Sequence, residues 1–279
     1  MKGIFKEKLS EVKWGEWSLI ALFISVLSGV LVGFHYDPAT PLYSASSLDV
    51  LVPFGDYFRS LHFYSSQLFF LFSIIHLWAI FKRTDTYSRN QWIKLTATLP
   101  VGLLILFTGY VLRGDSTGTS AGLIAENIII AIPLVGTILN DVLFSISDEG
   151  MKRIYVNHII GFGIVWGVLA WDHLRRYRTS FRQHPLLTAA ILLFCLPLTA
   201  PFEPEKLGIS HINGPWFFLG LQELLRFLPP LLAGVIFPST LILALFFLQR
   251  NNRYSTQLLN FILSWLGLYA ILSAVALCR

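Results

Sequence analysis

A chain of 279 residues that is 54% hydrophobic and only 13% charged, with a mean hydropathy of +0.63, carries about half the ~25% charge of a soluble domain and belongs in a bilayer. Its net charge of +5 does not mark a nucleic-acid binder, because the charges sit in short clusters between apolar runs rather than on one face of a folded domain. Two cysteines, Cys195 and Cys278, exclude a disulfide framework and a Cys-rich metal site.

The chain opens with a basic, amphipathic stretch, Met1 to Trp17. The apolar run behind it is too long for a signal peptide and has no small-residue cleavage pattern, so the stretch reads as a cytoplasmic lead-in to a first span. A hydrocarbon core needs about 20 apolar residues per helix. The runs that meet or approach this are Ser18–Phe34, Leu61–Phe81, Ile93–Leu112, Ile154–Trp171, Leu186–Ala200, Leu231–Leu248 and Leu258–Leu277. The fifth is short and contains Pro197. Between the third and fourth, Leu123–Val135 is apolar but carries Glu126, Asn127 and Pro133, which suits a helix lying along the membrane surface. The expected fold is therefore all-α, an integral membrane bundle of about seven transmembrane helices.

The charges give this bundle a direction. With the N-terminus inside, the cytoplasmic segments hold Lys2, Lys6, Lys8 and Lys13, then Lys82, Arg83, Arg89 and Lys94, then Arg175, Arg176, Arg178 and Arg182, and finally Arg250 and Arg253. The opposite loops hold most of the acid: Asp37, Asp49, Asp56, Asp115, Glu126, Asp141, Asp148, Glu149, Glu203 and Glu205. One orientation satisfies the positive-inside rule throughout. It is the arrangement of a bacterial cytoplasmic membrane, or its equivalent, with a cytoplasmic N-terminus.

Of the seven histidines, four form two matched pairs. His62 and His76 are fourteen apart in the second run, and His158 and His173 are fifteen apart at the edges of the fourth. At about 100° per residue, fourteen positions return close to one helix face and fifteen overshoot by roughly one residue. Each helix thus presents two imidazoles about 21–22 Å apart along its axis, at ~1.5 Å per residue. Two crossings separate these helices, so they run the same way. His62 comes level with His158 near the outer side, and His76 with His173 near the inner side. Single polar groups in a span are ordinarily packing residues, but two cross-helix pairs at two depths match the axial ligation of two stacked haems b. Zinc is poorly served, since the pairs are too distant to share an ion and no thiolate stands beside them. No Cys-x-x-Cys-His occurs, so no c-type haem is expected by that motif. His35, His184 and His211 fall in or beside loops.

Other residues are candidates around the haems. Gly15 and Gly29 repeat the fourteen-residue step, and glycine lets a flat macrocycle approach a helix backbone; close helix packing explains the spacing equally. Arg59, Arg153 and the Arg175/Arg176 pair lie near span ends, where they suit haem propionates or act as snorkelling anchors.

With these residues in place, the sequence resembles the cytochrome b of the cytochrome bc complexes along nearly its whole length. More narrowly it resembles the chloroplast-type arrangement of a four-helix cytochrome b followed by a three-helix subunit IV, here in one chain. Leu27-Ser-Gly-Val-Leu-Val-Gly-Phe-His-Tyr36 resembles the end of the first helix, and Arg59-Ser-Leu-His62 the Arg-x-x-His of the outer ligand. Gly109-Tyr-Val-Leu112 and Ala131-Ile-Pro-Leu-Val-Gly136 bracket the surface-helix region. Arg153-Ile-Tyr-Val-Asn-His158 resembles the start of the fourth helix, and Trp216-Phe-Phe-Leu-Gly-Leu-Gln-Glu-Leu-Leu-Arg226 resembles subunit IV.

The resemblance implies a four-helix dihaem core over 1–180 and a three-helix region over 181–279. It also implies a role as a redox subunit moving electrons between a quinone and partner redox proteins, either a multihaem cytochrome of the c type or an iron–sulphur protein. Three departures stand against a complete match. Arg113-Gly114-Asp115 replaces Pro-Trp-Gly, and Leu95 stands where a glycine is expected fourteen before Gly109. Gly214-Pro215-Trp216-Phe217 replaces Pro-Glu-Trp-Tyr and so lacks the acid assigned to quinol deprotonation, with Glu223 two turns further on. An electron conduit without a quinone site is therefore a second reading. A haem-free transporter with histidines lining a path is opposed by the matched pairs. The dihaem anchor subunits of formate dehydrogenases and hydrogenases are opposed by the ligand spacing and the three C-terminal helices.

Overall fold

The computed structural model of the protein describes residues 12–146, 150–203, 212–249 and 252–279. The lead-in before residue 12 lies outside the described residues, as do Asp148, Glu149, Glu205, His211 and Arg250. All the regular structure among the described residues is helical. Five helices there are long and apolar enough to cross a membrane: α1 (Trp14–His35), α3 (Gly55–Ile80), α4 (Arg89–Val111), α7 (Met151–Leu174) and α11 (Ser255–Leu277). Two shorter apolar helices, α8 (Pro185–Phe194) and α10 (Leu231–Phe247), complete the seven runs read from the sequence. The connections carry α2 (Pro41–Leu51), α5 (Ser116–Ile130), α6 (Gly136–Leu143) and α9 (Leu219–Leu224).

Helix ends follow local chemistry. The run expected to reach Ala200 stops at Phe194, ahead of Leu196 and Pro197, because proline disfavours the helical conformation of the residue before it. The helix expected over Leu123–Val135 instead begins at Ser116 and ends at Ile130. Asp115 caps it by accepting the Gly118 N–H, and Pro133 falls in the following turn. Pro100 sits inside α4, as transmembrane helices tolerate.

The chain folds as two compact units. The first comprises Met1–Tyr36, Tyr43–Leu103 and Val168–Pro201. Its centre is the packing of α1 on α3. Ser18, Ala21, Ser25 and Ser28, spaced three and four apart, form the buried seam of α1; such small residues let two backbones approach where lipid supplies no hydrophobic drive. The Ser18 hydroxyl meets Ser73 Oγ at 2.8 Å. Ser60 Oγ accepts the Ala200 N–H at 2.8 Å and ties the chain after α8 to α3.

The second unit comprises Asp37–Leu42, Leu104–Gly167 and Phe202–Arg279. Here α9 packs on α11, with Tyr269 Oη donating to the Phe217 carbonyl at 2.6 Å. Phe237, Trp265 and Tyr269 stack in sequence, with centroids 4.5 and 5.1 Å apart. Gly114 takes a left-handed φ of +67°, which an L side chain rarely adopts, and so turns the chain from α4 into α5.

Candidate haem-binding site

In the first unit, the rings of His76 on α3 and His173 at the end of α7 stand with centroids 6.2 Å apart, tilted by 53°. That is too far for close stacking. With metal–imidazole bonds of about 2 Å and the ring's own radius on each side, one iron atom fits between them. Gly15 of α1 borders His76: a Cβ built on it would lie 2.9 Å from His76 Cε1. Gly29 borders His62 in the same way, at 2.7 Å from Cε1 and Nδ1. A side chain at either position collides with an imidazole, so glycine at each leaves room for the ring. The His76–His173 spacing fits a metal-centred group held by the two rings.

The ring orientation of His62 follows from its partner. Its Nδ1 lies 2.8 Å from the Ser25 carbonyl oxygen. A carbonyl only accepts, so Nδ1 carries the proton and Nε2 keeps its lone pair for a metal. In the second unit His158 repeats this logic. Its Nδ1–H is shared between the Ile105 carbonyl at 3.0 Å and Thr108 Oγ1 at 3.1 Å. Gly109, on α4, would place a Cβ 2.8 Å from His158 Cε1. Gly109 was not singled out by spacing alone, because its partner position fourteen back is Leu95 rather than glycine. Replacing Thr108 with valine keeps the volume and removes one of the two acceptors. Loss of such a partner weakens a metal site about 10-fold or more, measurable as faster haem transfer from the purified variant to apomyoglobin.

The arginines divide. Arg59 is buried, and its guanidinium grips Asp49 with Nε at 2.7 Å and Nη2 at 2.5 Å. Nη2 also donates to the Ala200 carbonyl at 2.7 Å. A propionate would thus share Arg59 with a resident carboxylate. Arg153 is exposed on the first turn of α7. Arg175 reaches Asp172 at 3.3 Å and Lys94 reaches it at 3.7 Å, and such half-exposed pairs contribute ~1 kcal/mol or less. Asp172, Lys94, Leu95, Arg176 and Tyr87 line a shallow open recess beside His173. Leu95 fills the place where the resemblance expects a glycine, so this edge of the recess is formed by a side chain. Burial raises the Tyr87 phenol, with Tyr177 adding to the shift, which keeps Tyr87 neutral across the physiological range. The remaining described histidines are engaged elsewhere: His35 Nδ1 meets the Leu31 carbonyl, and His184 Nε2 pairs with Glu16 at 2.6 Å.

A family model described as Cytochrome b/b6/petB matches residues 8–178. Among curated relatives, cytochrome b of Pantherophis bairdi is 24% identical over 262 residues, 80% of this chain and 70% of that protein. Cytochrome b of Bugula neritina is 26% identical over 286 residues, 88% of this chain and 77% of that protein, and that of Eptatretus burgeri is 25% identical over 309 residues, covering 91% and 80%. A chain of a solved structure described as hyperthermophilic respiratory Complex III superposes with a TM-score of 0.69 at 19% identity, over 93% of this chain and 83% of that one, and at that identity the likeness speaks for the fold. Apolar spans, glycine-bordered histidines with protonated Nδ1 and the match over 8–178 converge: the chain belongs to the cytochrome b/b6/petB family and is an integral membrane protein of electron transfer that binds b-type haem.

Proposed function

We propose that this chain is the dihaem subunit of a membrane quinol/quinone oxidoreductase complex. His76 and His173 bind one haem b near the cytoplasmic side and His62 and His158 bind the other near the outer side. Residues 1–180 make the four-helix dihaem core, and 181–279 make a three-helix region like subunit IV. The observation that carries the reading is the His76–His173 separation of 6.2 Å beside Gly15. When bound, the two haems supply one-electron transfer along the membrane normal. The protein's own part is orientation: Ser25 fixes the His62 ring, and Ile105 with Thr108 fixes the His158 ring. Gly15, Gly29 and Gly109 keep side chains out of the plane beside the rings.

Partners are a quinone, surrounding lipid, and further redox subunits, either a multihaem cytochrome or an iron–sulphur protein; the fold shared with a chain of a respiratory complex supports this. The membrane is a bacterial cytoplasmic one with the N-terminus inside, on the distribution of Lys and Arg.

One observation favours the second reading, an electron conduit without a quinone site of its own. Pro215 stands at the acid position of the resembled motif, and Glu223 is 1% exposed with Oε1 3.0 Å from Arg279, closed off beside a cation. Reduction of the purified haem protein by a quinol analogue separates the two. Haem reduction within the mixing time, blocked by quinone-site inhibitors, is the expected result. Haems that respond only to dithionite overturn the quinone-reactive reading in favour of the conduit.

A further inference from the structure

The fifteen-residue step from His158 to His173 does not match the fourteen-residue step from His62 to His76. On a regular helix fourteen residues end about 40° short of a whole number of turns, whereas fifteen end about 60° beyond one. Equal ligand geometry on two helices cannot come from both. The backbone of α7 resolves the mismatch, because Asn157–Gly161 is a π-turn. The Phe162 N–H bonds to the Asn157 carbonyl, five residues back, so the extra residue lies among His158–Gly161, in the turn that carries the ligand itself. A single π-turn takes up one residue, and the helix beyond it continues as if that residue were missing.

Two residues build this turn. Asn157 Nδ2 donates to the Val142 carbonyl at 3.0 Å and to the Leu143 carbonyl at 3.3 Å, tying the turn to the end of α6. A Cβ on Gly161 would lie 2.7 Å from Asn157 Oδ1, so only glycine leaves room for the asparagine side chain in this position. Ile159 and Ile160, which bulge outward, are 48% and 50% exposed.

We propose that the Asn157–Gly161 turn is a register device that makes fifteen residues act as fourteen, with Asn157 and Gly161 as positioning residues for His158. The inference rests on reading His158 and His173 as haem ligands, and its test keeps the two apart. Haem content of the wild-type protein tests the ligand reading first. In the full-length chain, deletion of Ile160 should then straighten α7 into a regular helix with the ligands fourteen apart. The expected result is unchanged haem content with both low-spin EPR signals retained.

Asn157→Leu alone should speed haem loss from the His158 site about tenfold, with the other haem's EPR signal unmoved. Combining it with the Ile160 deletion should restore the wild-type signal, because a regular helix no longer needs the asparagine. A merely structural role of Asn157 at the end of α6 would not be rescued by that deletion. Loss of a haem in the deletion variant, failure of that variant to accumulate in the membrane, or absence of rescue would each overturn the proposal while leaving a two-haem wild type intact.

Discussion

Replacing His173 with alanine is expected to halve the haem content, from two per chain to one, and to leave the remaining haem's spectrum unchanged. His76 has its ring 6.2 Å from that of His173, so a metal held between them loses one of its two axial bonds when His173 goes. The recess beside His173 is open and lined by Lys94 and Arg176, which gives a haem held by one imidazole no enclosed pocket to remain in. His62 keeps its own support, the Ser25 carbonyl and the Gly29 border, and neither touches His173. The surviving haem is thus the internal control for folding. Pyridine haemochrome analysis with low-temperature EPR gives both numbers on one sample. A variant that still holds two low-spin haems would remove His173 from the ligand set.

The second large effect is one of stability. Asp115→Ala is expected to destabilise the protein by about 3–5 kcal/mol, the usual cost of leaving a buried charge without its partner. The Asp115 side chain is fully buried. One carboxylate oxygen accepts from Thr117 Oγ1 and the Gly118 N–H, and the other from Arg113 Nη2 and the Glu203 N–H. Four donors therefore meet on one side chain, joining the end of α4, the first turn of α5 and the segment entering from Phe202. Removing it takes the carboxylate partner from the Arg113 guanidinium, whose side chain is only 11% exposed and which keeps its bond to Thr117 Oγ1 and its place over the Tyr110 ring. The check is thermal unfolding in detergent followed by helical circular dichroism, with Asp115→Asn as the milder comparison that keeps part of the acceptor set. A loss below ~1 kcal/mol would mean that water or the Thr117 hydroxyl replaces the carboxylate.

Much of this was legible in the residues, and the parts that were not have physical reasons. The apolar runs and Pro197 mark the spans because membrane insertion is read by summed hydropathy and by proline's missing donor. The fourteen-residue repeat of Gly15 and Gly29 is visible because each position acts alone, through the absence of a side chain. Asp115 ahead of Ser116 is an ordinary N-cap signal, yet its bond to the Glu203 N–H bridges 88 positions and has no local signature. The π-turn is half visible: the fifteen-residue step leaves one residue to be taken up and Asn157 with Gly161 build the turn, but its place is set by where the Val142 and Leu143 carbonyls end. Arg59 is the instructive case among the candidates. Its position near a span end suits a propionate, but Asp49, ten residues away across the turn between α2 and α3, occupies the same guanidinium.

The proposed ligand set is four histidines on two helices, holding two haems b. Haem stoichiometry of the purified wild-type chain, by pyridine haemochrome against quantitative amino-acid analysis and with EPR on the same sample, tests it most directly. Two haems b per chain are expected, both low-spin with two imidazole ligands. One haem per chain, none, or a high-spin signal in the oxidised protein would contradict it.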